Sequence, residues 1–153
     1  MLFRSHPHVN TLVETAEDVD RIFAASDCLW CLDTGHLAIG GTDVVEFTKR
    51  AMSRIGLVHL KDVDLHLAKR YLAGERSWME IVQDGIFSPI GQGDVPMAEV
   101  IELLENAGYD GWYVLEQDVA ITGELPPAGT GPIDGVRQSV DYLRSRFEVR
   151  TSV

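Results

Sequence analysis

The feature that most constrains the fold is a repeated pairing of a short apolar run with a helical segment. The apolar runs cover residues 2–5, 28–32, 56–60 and 111–115. After each run, apolar residues recur at the three- and four-residue spacing of one helix face. Strands that alternate with helices are typical of a parallel sheet covered by helices. The sequence therefore predicts an α/β fold of four consecutive βα units.

Residues with strong positional preferences mark the ends of the predicted helices. Thr15 begins a sequence typical of a capping box, and Thr42 is the expected N-cap of the second helix. Pro96 is expected to open the third helix and Gly108 to end it. A longer, partly helical insertion is predicted over residues 65–85. The last helix is predicted from an apolar stripe of Val136, Val140, Leu143 and Phe147.

Composition and charge exclude several classes of protein. The chain has 153 residues, with 13 Lys and Arg against 24 Asp and Glu, so its formal net charge is −11. We expect no nucleic-acid partner, because phosphate binding needs a basic face. No apolar run approaches the length that spans a bilayer, and the first residues do not read as a signal peptide. We therefore expect a cytoplasmic protein that does not bind membranes.

The two cysteines, Cys28 and Cys31, form a Cys-x-x-Cys sequence inside the second predicted strand. Residues three apart on a strand point to opposite faces, so this pair does not fit a redox or zinc motif. Two cysteines also do not make a disulfide framework. We interpret both as small buried apolar residues.

A residue that can ligate a metal falls at the carboxyl end of each predicted strand. These residues are His6, Asp33, His59 and Glu116. In parallel α/β folds, functional sites form where the carboxyl ends of the strands meet. Alternation along the strands places further residues on the same face, namely Leu29, Cys31, Leu57, Trp112 and Val114. We expect that face to point into a barrel, and the intervening residues to point toward the helices.

Each of these motifs also has a plain structural interpretation. Asp33 and His36 can aim two groups at one point across the Gly35 turn, or Asp33 can cap a loop beside an exposed His36. His59 and Lys61 can share a face at a strand end, or they can belong to ordinary packing and a surface ion pair. Together, Asp, His and Glu ligands favour a hard divalent ion such as Mn²⁺, Mg²⁺ or Co²⁺ over a structural zinc site.

Several motifs in a fixed order carry a family resemblance. The segments HPHVNTLVET, LDTGH, VHLKDV, GQGDV and AGYDGWYVLEQD occur in this order. Over about residues 3–147 the sequence resembles the sugar phosphate isomerase/epimerase superfamily of xylose isomerase-like barrels, and within it the inosose dehydratase branch. The stretch RYLAGERSWMEIVQDGIFSPIGQGDVPM resembles an insertion of that branch. The resemblance implies the C-terminal half of an eight-stranded TIM barrel, with residues 1–153 as one partial domain.

The resemblance also implies a metal site and a reaction. By motif, Asp33, His59 and Glu116 match three metal ligands of the family, and His6 is the candidate for the fourth, with His8 as the alternative. The implied cofactor is a divalent metal, Mn²⁺ or Co²⁺ first, with Mg²⁺ and Zn²⁺ also compatible. The implied activity is loss of water from 2-keto-myo-inositol or a related small polyol or keto-sugar. His36 is then a candidate for proton transfer and Lys61 for substrate contact.

Three alternatives remain open at this point. The chain can belong to an isomerase or epimerase of another keto-sugar in the same superfamily. It can be a non-catalytic half-barrel that forms a homodimer, because four strands cannot close a barrel of this type by themselves. DNA-repair barrels with similar ligands form the third alternative, which the net charge of −11 opposes.

Overall fold

The computed structural model describes residues 4–147 and is built around a sheet of four parallel strands. The strands of the chain are β1 (Arg4–Ser5), β2 (Leu29–Asp33), β3 (Ile55–Leu60), β4 (Asp62–Val63), β5 (Phe87–Ser88) and β6 (Tyr113–Leu115). The main sheet has the order β1-β2-β3-β6, with neighbouring strands parallel. The prediction of four βα units is confirmed. Residues 2 and 3 of the first predicted strand lie outside the described residues.

Seven α-helices lie between and after the strands within the described residues. They are α1 (Ala16–Ala25), α2 (Thr34–Ile39), α3 (Val44–Ala51), α4 (Leu65–Leu72), α5 (Trp78–Gln83), α6 (Met97–Asn106) and α7 (Pro132–Arg146). A 3₁₀ turn at Met52–Arg54 leads from α3 into β3. In the part of the chain that is described, no helix has the length and apolar character needed to cross a membrane.

The helix ends follow the predictions at Thr15 and Gly108, differ by one residue at Pro96, which is the N-cap of α6, and differ at Thr42. Thr15 makes the expected capping box at the start of α1, and Gly108 follows α6 with a φ of 75° that favours glycine. The prediction that Thr42 caps the second helix was wrong. Asp43 is the N-cap of α3, because its side chain accepts a hydrogen bond from the backbone N–H of Glu46.

Two features between the main strands were not predicted. The short helix α2 begins directly after Asp33, where a Gly-containing turn was expected. The strands β4 and β5 pair antiparallel and flank the insertion that carries α4 and α5. Both elements are too short to show a period in the sequence. They are held by tertiary contacts around the carboxyl end of β3.

The hydrophobic core lies between one face of the main sheet and the helices. Trp30 and Leu32 of β2 and Val58 of β3 are fully buried on this face. Trp30 packs edge-on against Phe47 of α3, with ring centroids 5.1 Å apart. Burying a side chain of this size contributes about 2 kcal/mol, so this face provides much of the stability. The predicted alternation toward the helices is confirmed.

The opposite face of the sheet is only partly covered. Trp112 is 74% exposed and Val114 is 37% exposed, and Leu29 and Leu57 are half-buried. In a closed barrel these side chains would face its interior, where layers of side chains fill the space. We call this side, formed by Leu29, Leu57, Trp112 and Val114, the open face.

Candidate metal and catalytic site

The carboxyl ends of the parallel strands bring the predicted ligands together. Asp33 is the last residue of β2, and its register partner on β3 is His59. Glu116 directly follows β6, and its backbone N–H donates to the carbonyl oxygen of Leu60 at the end of β3. One donor atom from each of Asp33, His59 and Glu116 lies within 4.8 Å of the others. This spacing is compatible with a shared metal ion.

His59 lies between the two carboxylates. Its Nδ1 atom is 2.9 Å from Glu116 Oε1 and 3.5 Å from Asp33 Oδ2. The same atom is buried and makes no well-formed hydrogen bond with any described residue. The Asp33 carboxylate beside the ring, followed by Glu116, raises the pKa of His59, although partial burial opposes this. A cation between these three groups would satisfy the unpaired nitrogen, so the residues fit a divalent metal.

Asp33 is a fully buried carboxylate with two distinct contacts. Its Oδ1 accepts the backbone N–H of His36 at 2.9 Å and so caps α2, while its Oδ2 lies 3.2 Å from His6 Nε2. Burial would raise the pKa of this carboxyl, but the imidazoles of His59 and His6 beside it hold it well below its usual range. Asp33 is therefore ionised in the fold and available to a cation.

Lys61 is a buried cation beside the same carboxylates. Its side chain is 3% exposed, and its Nζ lies 2.7 Å from Glu116 Oε2 and 3.0 Å from Asp118 Oδ2. Burial lowers the pKa of this amine, but Asp33, Glu116 and Asp118 outweigh it and raise the pKa above its usual value. Asp118 was not predicted as part of the site. The sequence feature that could have indicated it is its position two residues after Glu116.

His36 lies at the back of the site rather than at its surface. It is 2% exposed, and its Nε2 is 3.1 Å from Lys61 Nζ. The ring of His8 covers it, with centroids 3.7 Å apart. Burial lowers the pKa of His36 to about 3, and the nearby Lys61 charge also lowers it, against the influence of Asp33. The interpretation of an exposed His36 was wrong, and the ring is neutral near pH 7.

The two N-terminal histidines take different places. His6, next to β1, faces Asp33 and also belongs to a second group of donor atoms with Cys31 and His59, again within 4.8 Å of one another. His8 belongs to neither group, since its Nδ1 is 2.8 Å from the carbonyl oxygen of Val9 and its ring stacks on His36. The geometry therefore favours His6 over His8 as the additional ligand.

The insertion places aromatic side chains beside the catalytic candidates. The ring centroid of Phe87 in β5 lies 5.1 Å from Lys61 Nζ. Trp78 of α5 contacts Phe87, and the two ring centroids are 5.9 Å apart. The His36 ring is 6.5 Å from that of Trp78. These apolar walls exclude water on one side of the Lys61 ammonium, which strengthens its electrostatic interactions.

Asp62 is a supporting residue that sequence reasoning missed. It is fully buried, and its carboxylate accepts backbone N–H groups of Val63, Gly91, Gly93 and Val95 at 2.8–3.1 Å. A Cβ atom at Gly93 would lie 2.3 Å from Asp62 Oδ1, so only glycine allows this approach. The glycines of this turn are visible in the sequence, but their carboxylate partner could be found only in three dimensions.

Comparison with known proteins identifies the family of this chain. Residues 3–146 match the family described as the xylose isomerase-like TIM barrel. The chain belongs to this family. It is 32% identical over 142 residues to an inosose dehydratase of Geobacillus thermodenitrificans, covering 91% of this chain and 46% of that protein. It is 33% identical over 144 residues to an inosose dehydratase of Mesomycoplasma hyopneumoniae, covering 92% and 46%.

Solved structures show the same fold. The probable 3-DHS dehydratase AsbF of Bacillus anthracis aligns with a TM-score of 0.68 at 20% identity, covering 96% of this chain and 50% of that one. The 3-keto-D-glucoside 4-epimerase YcjR of E. coli aligns with a TM-score of 0.59 at 17% identity, covering 95% and 46%. The chain spans about half the length of the curated relatives it matches, and its strands form half of a TIM barrel.

Proposed function

We propose that this chain carries the metal-binding half of a metal-dependent hydro-lyase of the inosose dehydratase type. The observation that supports this most is the convergence of Asp33, His59 and Glu116 donor atoms within 4.8 Å, next to the buried ammonium of Lys61. Relatives named inosose dehydratase at 32–33% identity support the reaction class. The substrate proposed is 2-keto-myo-inositol or a related keto-polyol.

Asp33, His59 and Glu116 would hold the ion, with His6 completing the set. Two carboxylates and imidazole nitrogens form a mixed oxygen and nitrogen donor set that suits Mn²⁺ or Co²⁺. When bound, such an ion supplies Lewis-acid chemistry that polarises a ketone and stabilises the enolate left by loss of the α-proton. The site residues then have to bind the substrate and move protons.

Lys61 and His36 are proposed for those tasks. The raised pKa of Lys61 keeps it an ammonium, which can hold a substrate oxygen or donate a proton toward a departing hydroxyl. The neutral His36 ring lies 3.1 Å from the Lys61 nitrogen, so its Nε2 can accept a hydrogen bond from the ammonium and fix its direction. We propose that His36 takes part in proton transfer, either as the base that receives the α-proton or by positioning Lys61.

The metal site is tested by Asp33→Asn, which removes the charge but keeps an oxygen to cap α2. The matched control is Asp43→Asn, since Asp43 caps α3 in the same way and lies outside the site. Calorimetric titration with Mn²⁺ should show binding in the wild type and in Asp43→Asn, weakened at least about 10-fold in Asp33→Asn. Equal binding by all three proteins would contradict the proposal.

The proton-transfer role is tested by His36→Asn, with the exposed His66→Asn as control. We expect His36→Asn to keep Mn²⁺ binding and to lose at least about 100-fold in the rate of 2-keto-myo-inositol dehydration, the usual size of a general acid–base contribution. Product analysis by NMR separates a dehydrated diketone from an epimerised sugar. An epimerised product would favour the isomerase alternative.

A second candidate function is a half-barrel that pairs with a second copy of itself. The supporting observation is the open face, where Trp112 and Val114 expose apolar surface and both edges of the parallel sheet are unpaired within residues 4–147. A twofold axis along the barrel axis keeps all strands parallel, so two copies can form eight strands. Sedimentation equilibrium should then give an apparent mass of twice the 17.0 kDa chain mass. The Trp112→Gln variant should give a lower apparent mass, because it weakens the pairing. A single-chain mass at all concentrations would exclude the pairing.

A further inference from the structure

We propose that His6, Cys31 and His59 form a second, sulfur-containing metal set, which takes a thiophilic divalent ion such as Zn²⁺ or Cd²⁺. One donor atom from each residue lies within 4.8 Å of the others. No role was expected for Cys31, which the sequence predicted only as a small buried residue. This site goes beyond the proposed hydro-lyase activity and does not depend on it.

Three adjacent strands bring these donors together. Cys31 lies two residues before Asp33 on β2, so its side chain points to the same face as Asp33, one residue pair nearer the start of the strand. His6 follows β1, the neighbour of β2 on one side, and His59 lies on β3, the neighbour on the other. The sulfur therefore lies nearer the start of the strands than the set of Asp33, His59 and Glu116, and it has one imidazole on either side.

The distances require only modest side-chain movement to bind an ion. Zinc–sulfur bonds of about 2.3 Å and zinc–nitrogen bonds of about 2.0 Å place tetrahedral donors roughly 3.5 Å apart. His6 can supply the adjustment, because its side chain is 35% exposed and lies at the rim of the site. A thiolate with two imidazoles is a softer set than the carboxylate group and selects Zn²⁺ or Cd²⁺ over Mn²⁺. On binding, the thiol proton passes to the buffer.

The two sets share His59, and also His6 where it completes the carboxylate set, and they therefore compete. An ion held by His6, Cys31 and His59 takes the imidazole that the Asp33, His59 and Glu116 set needs. We expect Mn²⁺ to occupy the carboxylate set and Zn²⁺ or Cd²⁺ to occupy the sulfur set. A thiophilic ion should then displace Mn²⁺ although it uses a different group of ligands.

The test is a Cd²⁺ titration of the purified chain, followed by the ultraviolet thiolate-to-metal charge-transfer absorption. The matched variants are Cys31→Ser and Cys28→Ser, since Cys28 lies three residues away and pairs instead with the Ser26 hydroxyl. We expect the absorption in the wild type and in Cys28→Ser, and its loss in Cys31→Ser. No absorption in the wild type, or its persistence in Cys31→Ser, would overturn the proposal.

Two further variants guard against misfolding and separate this site from the proposed enzyme site. His6→Asn changes a partly exposed residue, and it should weaken Cd²⁺ binding at least about 10-fold with unchanged circular dichroism. Glu116→Gln should weaken Mn²⁺ binding and keep the Cd²⁺ absorption, whereas Cys31→Ser should do the reverse. If Glu116→Gln abolishes both, there is one site and the sulfur set is refuted. Cd²⁺ binding without Mn²⁺ binding would refute only the enzyme site.

Discussion

The two carboxylate oxygens of Asp33 contact different partners and have different roles. Oδ1 caps α2 through the His36 N–H, and Oδ2 faces His6, His59 and Lys61. The cap holds the carboxylate in one orientation, since turning it would leave a buried N–H unpaired. The Asp-x-x-His spacing thus lets one residue cap α2 and face the site. The same cap places His36 in the buried first turn of that helix.

At the residue scale, Asp62→Asn should be strongly destabilising. Asp62 accepts four backbone N–H groups, and an amide would turn an NH₂ group toward some of them. We expect a loss of about 3 kcal/mol in the free energy of unfolding, measured in urea. Asp94→Asn is the control, because within residues 4–147 the side chain of exposed Asp94 accepts only the Leu65 N–H. Equal effects of the two variants would contradict this role for Asp62.

The polar residues differ in how far sequence could place them. Asp33, His59, Glu116 and Lys61 were predicted and do converge, because strand ends in a parallel sheet meet at one edge. Asp118 was not predicted because it lies in a loop, where no sequence periodicity indicates the direction of a side chain. The burial of His36 was missed because it depends on His8, a residue 28 positions earlier that covers it.

At the scale of elements, the short helix α2 packs its Gly35 against Lys61. A Cβ atom at Gly35 would lie 2.6 Å from Lys61 Cγ, and Lys61 is held by Glu116 and Asp118. Gly35→Ala should therefore destabilise the fold by about 1–3 kcal/mol, in spite of the better helix propensity of alanine.

Gly135→Ala in α7 is the matched control for this substitution. There the nearest atom to a new Cβ is Gln117 Oε1 at 3.4 Å, an ordinary contact. We expect this variant to be neutral or to gain up to about 1 kcal/mol from helix propensity. Thermal unfolding of both variants gives the comparison, and a stabilised Gly35→Ala would show that Lys61 can move aside.

A hydrogen bond between β6 and α6 should make the free energy of unfolding decrease at alkaline pH. The Tyr113 hydroxyl donates to Glu105 Oε1 at 2.7 Å, and burial, then this contact, raises the pKa of Tyr113 above its usual 10.0. Burial likewise raises the pKa of Tyr109 to about 12. A phenol whose pKa is raised by folding contributes stability that is present below pH 10 and is lost as the pH rises further.

Tyr113→Phe isolates one of these two groups. We expect the free energy of unfolding to fall less steeply above pH 10 in this variant than in the wild type. At pH 7 the variant should lose about 1 kcal/mol for the missing hydrogen bond. Urea unfolding between pH 7 and pH 11 measures both, and identical pH slopes would disprove the contribution of Tyr113.

At the scale of the whole molecule, the two faces of the sheet differ in what covers them. Trp30 is fully buried under the helices, whereas Trp112 on the open face is 74% exposed. In dilute protein, Trp30→Phe should cost about 1–3 kcal/mol and Trp112→Gln should change stability by less than about 0.5 kcal/mol. Acrylamide should quench Trp112 fluorescence and spare Trp30. Strong protection of Trp112 would indicate that another surface covers it.

The sequence alone determined the βα rhythm, the parallel sheet and the residues at the strand ends. These follow from local periods of two and 3.6 residues, which each segment carries by itself. Only the tertiary structure decided that Asp43 caps α3, that Asp62 holds the glycine turn, and that His36 and Lys61 are buried side by side. It also brought Cys31 between two histidines from other strands. Such contacts join residues that are distant in the chain, and no local pattern records which of them will meet.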